Sequence, residues 1–306
     1  MQIRTALMIA LMLGSVPAHA QEAGRLRELL LQSRADRFSA NAPPAIPATE
    51  TIAYGQDPEQ VLDFWRARDG KSAPLIIFVH GGGWQHGSKD NATGTWKPTH
   101  YLAAGYNFAS INYRLVPRAR VEDQAHDVAL AVKALLDRAK SLGINPAQVV
   151  LMGHSAGAHL VALVGTDPQY LTSVGLRLDQ ISGVVPIDGA AFDVPRQMRE
   201  GPPLMQPIYE TAFGTEARRQ IALSPTLQAA APNVRKFFIP HVQRPDGIAQ
   251  SEALASALRA AGTAAETLSV PGTGLQGHAE INRRMGDPSY EATPAVDAWL
   301  KRLFGR

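Results

Sequence analysis

Apolar positions along this chain fall into two alternating rhythms. Pro74-Leu75-Ile76-Ile77-Phe78-Val79 is apolar throughout, as expected of a strand covered on both faces. Similar runs at 107–113, 149–152, 181–188, 236–241 and 265–270 predict further strands. Residues 51–54 and 60–65 instead alternate apolar with polar, and turn-forming residues fill 55–59 between them. That pattern predicts a leading antiparallel hairpin. Helical spacing governs 95–104, 121–142, 249–261 and 294–304. In the longest of these, Val128, Ala131, Val132, Leu135 and Leu136 share one face, and Gly143 and Pro146 stop the helix. Strands that alternate with helices predict an α/β fold, with a mostly parallel sheet and helices on both faces. Residues 189–232 break the rhythm. They are irregular and rich in Pro, Gly and Met, with a short helix expected at 216–222. An insertion at this point is expected to form a small lid.

The N-terminus follows a different logic. Arg4, an apolar run over 6–13 and Ala18-His19-Ala20 have the layout of a secretory signal over residues 1–20, cleaved after Ala20. A periplasmic or secreted location is therefore expected. The apolar run is too short to remain as a membrane span, and no later run is long enough. Residues 21–48 combine a charged helical patch with a Pro/Ala-rich stretch and read as an N-terminal extension. Residues 49–306 then form one domain. Composition changes this picture only by exclusion. A net charge of +3, with acidic and basic residues interspersed, argues against a nucleic-acid face. The chain has no cysteine, so disulfides, thiolate nucleophiles and Cys-based metal sites are excluded. An exported chain without disulfides must rely on its core, and 306 residues are enough to build one.

Candidate chemistry centres on Gly153-His154-Ser155-Ala156-Gly157. This pentad ends the strand at 149–152 and precedes a small-residue helical pattern. The layout is strand, sharp turn and helix, with a serine at the apex. A serine hydroxyl needs a base within hydrogen-bond reach. His278 follows the last strand and falls on the same carboxyl edge of the sheet as Ser155. His154 is read as elbow packing, and His126 and His159 fall inside helices. His241 comes too early for the order serine, acid, histidine. The imidazole in turn needs a carboxylate. Asp246, after the penultimate strand, is favoured by chain order, and Asp188 at the end of the 181–188 strand is its rival. An oxyanion would be held by backbone N–H groups of Gly82 and Gly83, in His80-Gly81-Gly82-Gly83-Trp84, and of Ala156 at the helix start. A phosphate-loop reading of the same glycines fails, because the Gly-Lys-Ser/Thr ending is missing.

Together, His80-Gly81-Gly82-Gly83-Trp84, Asn112-Tyr113-Arg114-Leu115, Gly153-His154-Ser155-Ala156-Gly157 and Gly277-His278 resemble the α/β-hydrolase superfamily. The likeness is to its carboxylesterase and hormone-sensitive-lipase-like branch, including esterases related to feruloyl and acetyl-xylan esterases. It implies an eight-stranded, mostly parallel sheet, a triad in the order Ser155, Asp246, His278, and no cofactor or metal. It implies a small-molecule ester as substrate, and an ion pair between Arg114 and Asp127. The acid loop departs from the family pattern His-Gly-x-x-Asp. Here it reads His241-Val242-Gln243-Arg244-Pro245-Asp246, without the glycine and with the aspartate displaced by one position. Two other readings stay open: an amidase or formamidase similar to kynurenine formamidase, and a non-catalytic binding module on the same scaffold.

Overall fold

Eight strands form one sheet in the order β1-β2-β4-β3-β5-β6-β7-β8 in the computed structural model, which describes residues 42–67, 72–230 and 232–306. The strands are β1 (Glu50–Ala53), β2 (Val61–Trp65), β3 (Ala73–Val79), β4 (Asn107–Ile111), β5 (Ile144–His154), β6 (Gly183–Ile187), β7 (Lys236–Gln243) and β8 (Ala264–Thr273). β1 and β2 form the expected hairpin and β2 runs antiparallel to β4; every other pairing is parallel. Pro43–Arg306 forms one unit. The expected signal at 1–20 and residues 21–41 of the extension lie outside the described residues.

Among the described residues, eight helices have seven residues or more. They are α1 (Trp96–Ala103), α2 (Val121–Asp137), α3 (Ala156–Thr166), α4 (Val194–Glu200), α5 (Gln206–Phe213), α6 (Pro245–Ala260), α7 (Gly274–Arg284) and α8 (Ala292–Phe304). None is long and apolar enough to cross a membrane. The two-residue period of a strand divides β3 between two cores. Leu75, Ile77 and Val79 face a core shared with Val128 and Val132 of α2, Leu160 of α3 and Leu254 of α6. Ile76 and Phe78 face the other, with Tyr101 of α1, Ile281 of α7 and Trp299 of α8. A strand apolar at every position is the consequence of helices on both sides.

The structure departs from the sequence reading in three places. The helix expected at 121–142 ends at Asp137, and a separate turn covers Ala139–Leu142. The 189–232 insertion holds four short helices, α4, α5, Ala217–Ala222 and Pro225–Gln228, rather than one. Helix α6 begins at Pro245 instead of residue 249. Proline is well placed in a first helical turn, where its missing N–H has no partner to lose. That early start removes the loop in which Asp246 was expected.

Candidate active site

β5 and α3 meet at Ser155, whose backbone has φ 56° and ψ −117°. A non-glycine residue in this region carries strain of order 1–3 kcal/mol, so the surroundings must enforce it. They do so by close packing. A Cβ at Gly157 would lie 2.1 Å from the Val79 carbonyl oxygen, and one at Gly153 would lie 2.3 Å from the Gly157 oxygen. Only glycine lets β3, β5 and α3 approach this closely. The Ser155 N–H donates to the Ile187 carbonyl at 3.1 Å, which ties the turn to the end of β6.

The glycine loop after β3 lies directly on this turn. A Cβ at Gly81 would fall 2.9 Å from Ser155 Cβ. Gly82 and Gly83 both have positive φ, and the Gln85 and His86 amides donate to the Gly82 carbonyl to close the loop. The N–H groups of Gly82, Gly83 and Ala156 have no acceptor among the described residues, so all three are free to donate. Trp84 anchors the loop by its edge contacts to Tyr209 and Phe213 of α5, with ring centroids 6.3 and 4.7 Å apart. Gln85 Nε2 donates to the Ile208 carbonyl at 3.4 Å. The insertion predicted as a lid therefore packs on the glycine loop.

His278 follows β8 and lies inside α7. Its Nδ1 donates to Asp188 Oδ2 at 2.5 Å. His154, next to Ser155, hydrogen-bonds through Nε2 to the His278 carbonyl at 2.9 Å, and the two rings stand 4.5 Å apart. The imidazole is thereby held beside the elbow, although Ser155 and His278 form no hydrogen bond with each other. Unliganded sites often have such a gap, which closes on substrate. Burial pushes His154 well below the usual imidazole range, with the His278 charge adding to the effect. His154 is therefore a neutral packing and tethering group, as expected.

The acid assignment has to be corrected. Asp246 does not touch His278. It sits in the first turn of α6, and Arg244 Nη1 donates to both its carboxylate oxygens at 3.3 and 3.1 Å. Gln197 Nε2 adds a bond of 3.4 Å. Asp188, the rival, is the carboxylate that faces the imidazole. It follows β6 in a left-handed conformation with φ 43°, a region more open to Asp than to most residues. Its Oδ1 accepts from the Val242 amide at 3.1 Å, and its own N–H donates to the Pro240 carbonyl. Burial raises the Asp188 carboxyl, but the hydrogen bond from His278 and the charge of Arg244 outweigh it, leaving the group below its usual value. Asp188 therefore stays ionised.

Two further imidazoles are structural. His159 of α3 bonds through Nε2 to the Leu223 carbonyl at 2.8 Å, and its Nδ1 accepts from Trp84 Nε1 at 3.3 Å. Burial lowers it to about 4. His80 is lowered to about 4 in the same way, and its ring stacks on Tyr113. The expected pair of Arg114 and Asp127 forms, with Nη2 to Oδ1 at 2.7 Å. Sequence reasoning missed Arg244, which lies between Asp188 and Asp246. The only local signal was its place in the acid loop, two residues before Asp246.

Comparison with known proteins agrees with this architecture. The family model BD-FAE matches residues 62–180. The esterase LipC of Mycobacterium tuberculosis is 39% identical over 124 residues, which cover 39% of this chain and 30% of LipC. Esterase LipQ of the same organism is 30% identical over 240 residues, or 71% of this chain and 54% of LipQ. The chain thus spans between 30% and 54% of these relatives' length. The crystal structure of esterase B from Lactobacillus rhamnosus (HN001) superposes with a TM-score of 0.69, covering 94% of this chain and 96% of that one at 20% identity, and so shares the fold. Sheet order, elbow and sequence likeness converge: the chain has the α/β-hydrolase fold and is similar, over part of their length, to carboxylic ester hydrolases.

Proposed function

We propose that this chain is an exported serine hydrolase that cleaves small carboxylic esters through Ser155, His278 and Asp188. The observation that carries the proposal is the oriented imidazole. Asp188 fixes the His278 Nδ1–H, which leaves Nε2 as the basic nitrogen beside a strained serine. Ser155 Oγ attacks the carbonyl carbon while its proton passes to His278 Nε2. The N–H groups of Gly82, Gly83 and Ala156 receive the negative charge on the carbonyl oxygen, each worth about 3–4 kcal/mol of barrier. The alcohol departs with the proton held on His278. Water then attacks the acyl carbon, gives a proton to His278, and the acid leaves as Ser155 regains its hydrogen.

Named relatives described as esterases support ester over amide substrates. Export rests on the N-terminal pattern ending at Ala20, so the exported protein is expected to begin at Gln21. The test is turnover of p-nitrophenyl acetate. Ser155→Ala should lower kcat by about 10⁵-fold or more without changing the melting temperature appreciably. A fluorophosphonate probe should label the wild type and not the variant. An Ala variant that keeps full activity removes the mechanism, and faster turnover of a matched formyl amide than of the ester would move the substrate class.

A further inference from the structure

Arg244 occupies a position in which a buried cation is costly unless fully paired. It is 7% exposed. Its Nε donates at 3.1 Å to Asp188 Oδ2, the same oxygen that accepts from His278. Its Nη1 holds both oxygens of Asp246, and Nη2 reaches the Asp188 and Gly189 carbonyls at 3.5 and 3.4 Å. Every nitrogen of the guanidinium is thus used, and its charge is shared between two carboxylates. Beyond Asp246, Gln197 of α4 passes the chain to the Tyr209 hydroxyl of α5 at 3.0 Å. Tyr209 packs against Trp84 of the glycine loop.

We propose that Arg244 is a positioning residue that locks Asp188 as the partner of His278, with Asp246 as the counter-charge that tempers the guanidinium rather than as the acid. The inference rests on the hydrolase reading above. Its logic is electrostatic. Arg244 offsets part of the negative charge that Asp188 presents to the imidazole, so a protonated His278 is held less firmly than by a lone carboxylate. Asp246 in turn offsets part of Arg244. Removing the two charges should therefore move the pH dependence in opposite directions. The other groups facing this cluster are His154 at the end of β5, Lys97 behind α7, and Tyr290, whose hydroxyl feels the Asp188 charge. On α7 itself, Glu280 pairs with Arg284. None of these changes in the variants.

The experiment is the pH profile of kcat/KM for p-nitrophenyl acetate in the wild type, Arg244→Gln, Arg244→Lys and Asp246→Asn. Arg244→Gln should lower kcat/KM by about tenfold or more and raise the midpoint of the acid limb by about one pH unit. Arg244→Lys restores the charge and should return the midpoint to the wild-type position, with only partial recovery of rate, because one ammonium cannot replace the fork. Asp246→Asn should lower the midpoint. A purely structural role would reduce activity without moving the limb. An unmoved midpoint in Arg244→Gln, or an upward shift in Asp246→Asn, overturns the proposal. If Arg244→Gln fails to fold, the sign of the Asp246→Asn shift still decides. A wild-type chain that neither turns over the ester nor reacts with a fluorophosphonate would instead sink the hydrolase reading itself.

Discussion

On one side of the site, β3, β5 and α3 hold Ser155 and the Gly81–Gly83 loop by backbone contact. On the other, the ends of β6 and β7 and helix α7 hold Asp188 and His278 by charge. The first side tolerates little beyond hydrogen at its glycines, with would-be Cβ contacts of 2.0–2.9 Å to backbone, to the serine or, at Gly83, to the Ile208 side chain. The second side depends on a guanidinium shared by two aspartates. The contrast is between sterics, which press backbone against backbone, as Gly157 against Val79, and ion pairing, which joins side chains 56 positions apart. A steric device fails when one atom is added. A charge device can be redistributed among its members, here Asp188, Arg244 and Asp246.

After Ser155→Ala, the largest expected effect breaks the charged side. Asp188→Asn should lower kcat about 10⁴-fold, equivalent to about 5.5 kcal/mol in the barrier, because the amide no longer stabilises the imidazolium or fixes its tautomer. Asp246→Asn should cost less than about tenfold, since its carboxylate meets Arg244 and Gln197 and not His278. Steady-state kinetics on the two variants checks this directly. Equal losses at both positions would return Asp246 to the role that chain order suggested.

The same contrast decides what was legible in the sequence. Ser155, the glycine loop and the sheet could be read directly, because each is written in adjacent residues. Val149 to Gly157 contains its own strand, turn and close approach. Even the two-sided burial of β3 was visible as an unbroken apolar run. The acid was not legible. Its choice depends on where α6 starts and on how β6 and β7 end side by side, with the Asp188 amide bonded to the Pro240 carbonyl. Neither fact has a local signature. Likewise the placement of His278 within α7 follows from Ile281 packing into the core below, not from any motif.

A second pair of variants sharpens the comparison through stability. Gly157→Ala places a methyl 2.1 Å from the Val79 oxygen and 2.5 Å from the His80 oxygen, both backbone atoms that cannot step aside. The expected loss is about 3 kcal/mol or more, read as a lower urea midpoint at unchanged slope. Gly247→Ala, on the charged side, meets an Arg244 nitrogen at 3.0 Å and an Asp188 oxygen at 3.3 Å. These are side-chain ends that can give a few tenths of an ångström, and alanine also favours the helix by about 1 kcal/mol. Its net effect should stay within about 1 kcal/mol. A Gly247→Ala loss as large as that of Gly157→Ala would show that the ion-pair cluster is as rigid as the elbow.

The two sides also separate by pH. His159 and His80 lie on the elbow side, and burial holds both near 4, below their ordinary 6.5. The unfolded chain therefore binds protons first as pH falls, and stability present above about 6.5 is lost progressively down to about 4. Each group contributes about 3 kcal/mol across that window. His159→Gln keeps a donor for Leu223 and an acceptor for Trp84 but cannot charge, so it should remove one such share of the acid loss. On the imidazole side, Lys97 is fully buried, and burial lowers it from 10.5 to about 7. Its ammonium donates to the Thr93 and Asn282 carbonyls and ties α1 to α7. Here the unfolded chain holds a proton that the folded chain has lost, so stability should climb by about 2–3 kcal/mol between pH 7 and 9. Lys97→Met leaves those carbonyls without their donor, a cost that does not vary with pH, and it should flatten the climb. Urea midpoints measured from pH 4 to 9 should then show His159→Gln diverging from wild type only below 6.5 and Lys97→Met only above 7; divergence of both in one window would mean that the two sides titrate as a single unit.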